Sequence, residues 1–187
     1  MDELITLIRE PVKSIAKAKN RNMMRTYKLL LAEWIIIILA FLAVPLAAGS
    51  VMGLEAIVAT FVMGIVLTLF FGYLMTLAMK ILGGKGDFYH GLTVLVYTVY
   101  PLSLGALVMS IVSLTASLIA MLLGLIIVSV LAVMSFAMFF RTIMDLFRVD
   151  AIRAFIVFQM MFLEFYILLI LGMAGASAFL GSAATLV

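Results

Sequence analysis

Five long apolar runs, separated by short polar or glycine-rich breaks, dominate the hydrophobic pattern of the chain. An apolar stretch of roughly 18 residues or more has the length a helix needs to cross the hydrocarbon core of a bilayer. The pattern predicts helical spans over 29–48, 56–79, 91–112, 117–140 and 154–180. Of the breaks, 49–55 and 113–116 read as short turns and 141–153 as a charged segment. Gly83-Gly84-Lys85-Gly86-Asp87 is a glycine-rich loop that a straight helix does not tolerate cheaply. Residues 1–28 follow another pattern: Leu4, Ile5, Leu7 and Ile8 cluster, and beyond Pro11 the cations Lys13, Lys17 and Lys19 interleave with Val12, Ile15, Ala16 and Ala18. Such interleaving suits a helix lying on anionic lipid. The expected fold is all-α and integral to the membrane. A five-transmembrane-helix bundle occupies 29–187, preceded over 1–28 by a basic amphipathic helix at the cytoplasmic surface.

Composition removes the soluble alternative: 67% of the 187 residues are hydrophobic and 11% charged, more apolar surface than a soluble fold of this size can cover. The formal charge of +3 does not point to nucleic acid, because the cations flank apolar runs. Seven Lys or Arg precede the first span, Lys80 and Lys85 follow the second, and Arg141, Arg148 and Arg153 follow the fourth. All twelve fall on one side, while Glu55 is the one charge in the opposite loops and tail. The positive-inside rule therefore sets the N-terminus in the cytoplasm and, with five spans, the C-terminus outside. The basic first 28 residues read as a retained segment rather than a cleaved signal peptide. With no cysteine, the chain has no disulfide, thiolate metal site or thiol nucleophile.

Four stretches taken in order resemble the Yip1 family of five-span membrane proteins, in its bacterial and archaeal branch. They are Ile8-Arg9-Glu10-Pro11, Gly83-Gly84-Lys85-Gly86-Asp87-Phe88, Tyr97-Thr98-Val99-Tyr100-Pro101 and Val149-Asp150-Ala151-Ile152-Arg153-Ala154-Phe155. The resemblance implies a compact five-helix bundle with a cytosolic N-terminus in the cell membrane of a prokaryote, and a non-catalytic role in membrane organisation or trafficking. Eukaryotic members are associated with Rab-type small GTPases. This chain lacks their acidic Asp-Leu-Tyr-Gly-Pro-like segment and long N-terminal region, so that association is not carried over.

Ionisable groups inside a span are expensive, which makes each one a candidate site. Glu33 lies five residues past Lys28, about 7 Å into the first span, within reach of headgroups or a cytosolic cation. Glu164 lies eleven residues past Arg153, about 16 Å along the fifth span and near its middle. Tyr89, Thr93, Tyr97, Tyr100 and Ser103 recur at helical spacing and share one face of the third span. Glu33, Gln159, Glu164, Tyr97 and Tyr100 are thus expected to form a polar seam between spans one, three and five. It serves either as hydrogen-bonded glue or as a path for a proton, ion or small solute. Pro101 has no N–H to give the carbonyl of Tyr97 and should bend the third span.

A second candidate is the cytoplasmic face, where Lys13, Lys17, Lys85, Asp87, His90, Asp150 and Arg153 gather near helix starts. Asp87 and Asp150 each suit an N-cap, a faint internal echo of two helical hairpins. Expected partners are the lipid bilayer with its anionic headgroups, a cytosolic protein, and a second copy of the chain. The small residues of 172–178 suit close helix approach within one bundle or between two. No cofactor or metal is expected. The glycine loop lacks the Gly-Lys-Ser/Thr ending of a P-loop, and His90 is the sole histidine. Gly84-Lys85-Gly86-Asp87 spells the Gly-x-Gly-Asp of intramembrane aspartyl proteases, but Asp145 and Asp150 fall in the charged segment rather than within the bilayer. No nucleophile, base and orienting group can be assembled, so no enzyme is expected.

Overall fold

The computed structural model describes residues 23–47, 53–115, 117–163 and 166. Lys13, Lys17, Glu164 and the small residues of 172–178 lie outside the described residues. Five helices and no strand occur among the described residues: α1 Met23–Ala47, α2 Leu54–Ile81, α3 Phe88–Ser113, α4 Leu118–Phe147 and α5 Ala151–Leu163. Helices α2, α3 and α4 are each long and apolar enough to cross a membrane.

Helix α3 is the central member, touching α1, α2 and α4. Its buried positions, among them Tyr89, Leu92, Val94, Val96, Tyr97, Tyr100 and Ser103, run nearly around its circumference. By contrast α2 and α4 are buried along one stripe and present Val58, Val62, Val66 and Phe70, and Ile119, Leu122, Ile126 and Val130, on the outside. A helix whose outer face is as apolar as its inner one is at rest in lipid, not in water. Helix α1 buries Thr26, Leu29, Leu30, Glu33 and Ala40, one stripe at helical spacing, against the same cluster that holds Val96, Tyr97 and Tyr100.

Polar links fix the register. Thr26 and Thr93 hydroxyls meet at 3.2 Å, and both stand near the starts of their helices, so α1 and α3 run side by side from one end. Trp34 donates its indole N–H to Thr68 on α2 at 3.0 Å, and its ring lies flat over Gly64. Gly72 approaches Leu92 Cα, where an added Cβ would come within 3.2 Å, and Gly91 faces the Gly72 carbonyl, so α2 and α3 meet backbone to backbone. Ser135 of α4 donates to the Thr98 carbonyl, one residue from the peptide unit that Pro101 deprives of a donor.

The sequence pattern places the helices but misplaces some ends. Helix α4 continues to Phe147, seven residues past its predicted limit, so most of the charged segment is helix and only 148–150 are not. Arg141 and Asp145 form an i,i+4 ion pair at 2.9 Å on the exposed side, while Thr142, Ile143, Leu146 and Phe147 are buried on the other. Helix α1 begins at Met23, six residues before its predicted span.

Candidate functional site

Two hairpin turns meet at the end of the bundle where α3 and α5 begin. Helix α2 closes in a Schellman turn: Gly83 takes φ +83, Gly84 N–H reaches the Met79 carbonyl at 2.8 Å, and Gly83 N–H reaches Lys80 at 3.0 Å. Two residues on, Lys85 donates its backbone N–H to the Phe147 carbonyl at 3.0 Å, stitching the α2–α3 turn to the end of α4. Gly86 lies against the Phe147 ring so closely that a Cβ there would overlap it. Phe147 is fully buried and meets the His90 ring edge-on at 6.0 Å between centroids.

Asp87 caps α3. Its carboxylate accepts the His90 backbone N–H at 3.3 Å and sits 2.6 Å from His90 Nδ1, which is also 3.1 Å from the Asp87 backbone nitrogen. A carboxylate only accepts, so the short contact needs hydrogen on Nδ1, whereas the backbone N–H needs a lone pair there. One tautomer cannot serve both, which ties the geometry of this turn to where the imidazole hydrogen sits. Asp150 repeats the device at α5, accepting the Arg153 backbone N–H at 2.8 Å. The Arg153 guanidinium lies over Gly83, so the second turn reaches back to the first.

At the end of α4 is an open pocket of about 470 Å³ lined by His90, Met144, Asp145, Leu146, Arg148 and Val149. The charges at this end of the bundle are unequally matched. Arg141 is paired with Asp145, and Arg153 with Asp150 at 3.6 Å. Arg148 and Lys85 have no carboxylate partner among the described residues. Arg148 also has φ +55 and ψ +47, the left-handed conformation that costs an L-residue roughly 1–2 kcal/mol and that a helix terminus normally gives to glycine. Strain of that kind concentrates where a ligand is held.

Lys85, Asp87, His90, Asp150 and Arg153, expected on one face, are thus gathered at one junction. Glu33, Tyr97 and Tyr100 belong to the separate seam between α1 and α3, where all three are buried, Glu33 to 1% exposure. Glu33 therefore does not snorkel outward. Gln159 is exposed on α5 rather than packed into that seam. Arg148 and Phe147 are the members that the sequence did not single out. No group of three or more acidic or histidine side chains that could hold a metal occurs among the described residues. Comparison with known families, characterised proteins and solved structures gives no match for this chain.

Proposed function

We propose that this chain is a five-span, Yip1-like protein of a prokaryotic cell membrane, without a catalytic role, that recognises a phosphate-bearing lipid headgroup at the cytoplasmic junction of its two helical hairpins. In this reading α1 and a span beginning with α5 join α2, α3 and α4 in crossing the bilayer. The side that carries all twelve Lys and Arg faces the cytoplasm, where anionic headgroups and basic protein segments attract one another. The preceding basic segment would rest on the same surface.

One observation carries the reading: Arg148 is held in a strained backbone conformation at the rim of an open pocket, without a carboxylate partner among the described residues, while the arginines on either side are paired. A guanidinium presents a fork that fits phosphate oxygens in a bidentate manner. Lys85, across the stitched turn, supplies a second cation on the same end of the bundle.

The test uses Arg148→Gly, which suits the left-handed backbone and removes the guanidinium. Native mass spectrometry of the purified protein with mixed phosphatidylglycerol and phosphatidylcholine should show preferential retention of the anionic lipid by the wild type and none by the variant. Folding stability should stay within about 1 kcal/mol, since relief of strain offsets the added freedom of the unfolded chain. Equal retention of both lipids by the wild type would remove headgroup recognition and leave a cytosolic protein as the partner for this face.

A further inference from the structure

Glu33 stands apart from the junction, and the headgroup reading makes no use of it. Its side chain is 1% exposed, and neither carboxyl oxygen has a hydrogen-bond partner among the described residues. Leu29 and Leu30 lie one turn before it on the same face, and they pack in one cluster with Leu92, Val96, Tyr97 and Tyr100. The Thr26–Thr93 contact sets the depth: Glu33 is seven residues beyond Thr26, and Tyr100 seven beyond Thr93, so both are about 10 Å further into the bundle.

An ionised carboxyl so placed, with neither counter-ion nor donor, costs several kcal/mol, more than most of the packing around it returns. Something positive must accompany it. A metal cation needs several oxygen ligands and room for them, and the described residues offer no acidic cluster around Glu33. A proton needs one lone pair and no cavity. We propose that Glu33 is a proton-binding site in the α1–α3 seam, which takes and returns its proton from the cytoplasmic side past the paired hydroxyls of Thr26 and Thr93.

The groups around it are consistent with that role. From α3 the titratable side chains facing this level are Tyr97 and Tyr100, and from α2 and α4 the described residues at this depth supply no charged group. On α1 itself the nearest cation on the same face is Arg25, two turns toward the cytoplasm and about 12 Å along the axis. That is too far for direct pairing, yet near enough to favour a carboxylate formed transiently when the seam hydrates.

The apolar reagent dicyclohexylcarbodiimide tests the assignment in the wild-type protein, reconstituted in phosphatidylcholine vesicles. A carboxylic acid adds across its C=N bond and rearranges to an N-acylurea with no leaving group, whereas a hydrated carboxylate does not react. Peptide mapping should find the adduct on Glu33 and not on exposed Glu55. In a parallel infrared measurement the carboxylic C=O band lost in Glu33→Gln should shift when the wild type is moved into D₂O, showing exchange with bulk. An unmodified Glu33, or labelling suppressed by Na⁺ at constant pH, overturns the proposal, the second outcome assigning the carboxylate to a metal cation. A band that fails to shift in D₂O overturns it as well, because the group would then be an inert buried acid.

Discussion

Gly91→Leu is expected to destabilise the bundle by about 3 kcal/mol, the upper part of the range for overpacking a filled interior. The first side-chain atom at position 91 would overlap both the Thr76 hydroxyl and the Gly72 carbonyl. Neither obstacle can swing aside. The carbonyl is backbone in mid-helix, and the hydroxyl is itself bound to that carbonyl at 2.8 Å. Helix α2 would have to retreat from α3, losing the close backbone approach that small residues permit in apolar surroundings, where packing rather than water exclusion drives association. Because α3 is the helix that α1, α2 and α4 all touch, the displacement would propagate to both clusters of the core. Denaturant titration in detergent micelles reads the loss, and Gly53→Leu is the control, since an added Cβ there meets nothing within 4 Å.

Gly86→Val should open the hairpin junction. A Cβ at this position overlaps the Phe147 ring, which is fully buried and wedged against His90, so the ring cannot yield without leaving its site. The expected cost is about 2 kcal/mol of stability. Loss of the Lys85 to Phe147 backbone hydrogen bond accompanies it and frees the α2–α3 turn from the end of α4. Selective retention of phosphatidylglycerol should fall with it, although no cation has been removed. Retained selectivity in a destabilised Gly86→Val protein would show that headgroup recognition does not depend on the stitched turns.

The positions of α2, α3 and α4 were legible because each is an apolar run long enough to cross a membrane, a signal that length alone carries. The extent of α4 was not, because Arg141 and Asp145 read as the onset of a loop. Their spacing of four, with Thr142, Ile143, Leu146 and Phe147 filling the opposite face, is the signal of a helix reaching into the headgroup region. The caps at Asp87 and Asp150 were visible as acids at helix starts, since a carboxylate there satisfies free N–H groups whatever the tertiary contacts. Arg148 was not visible. Sequence marks a left-handed helix terminus when glycine occupies it, and an arginine forced into that conformation leaves no trace in the pattern. Glu33 is legible as an intramembrane acid, but its place in the sequence suits both a side chain reaching out toward Lys28 and one turned into the seam with Tyr97 and Tyr100. Only the packing of α1 on α3 shows that it turns inward.

The absence of native cysteine makes the decisive topology measurement direct, because single cysteines can be introduced without a background. Lys85→Cys, Arg148→Cys and Glu55→Cys are to be labelled with a membrane-impermeant maleimide in inverted and in right-side-out vesicles. Positions 85 and 148 should react only in inverted vesicles and position 55 only in right-side-out ones, which places both hairpin turns together on the cytoplasmic face. Labelling of positions 85 and 55 from the same side would contradict that placement.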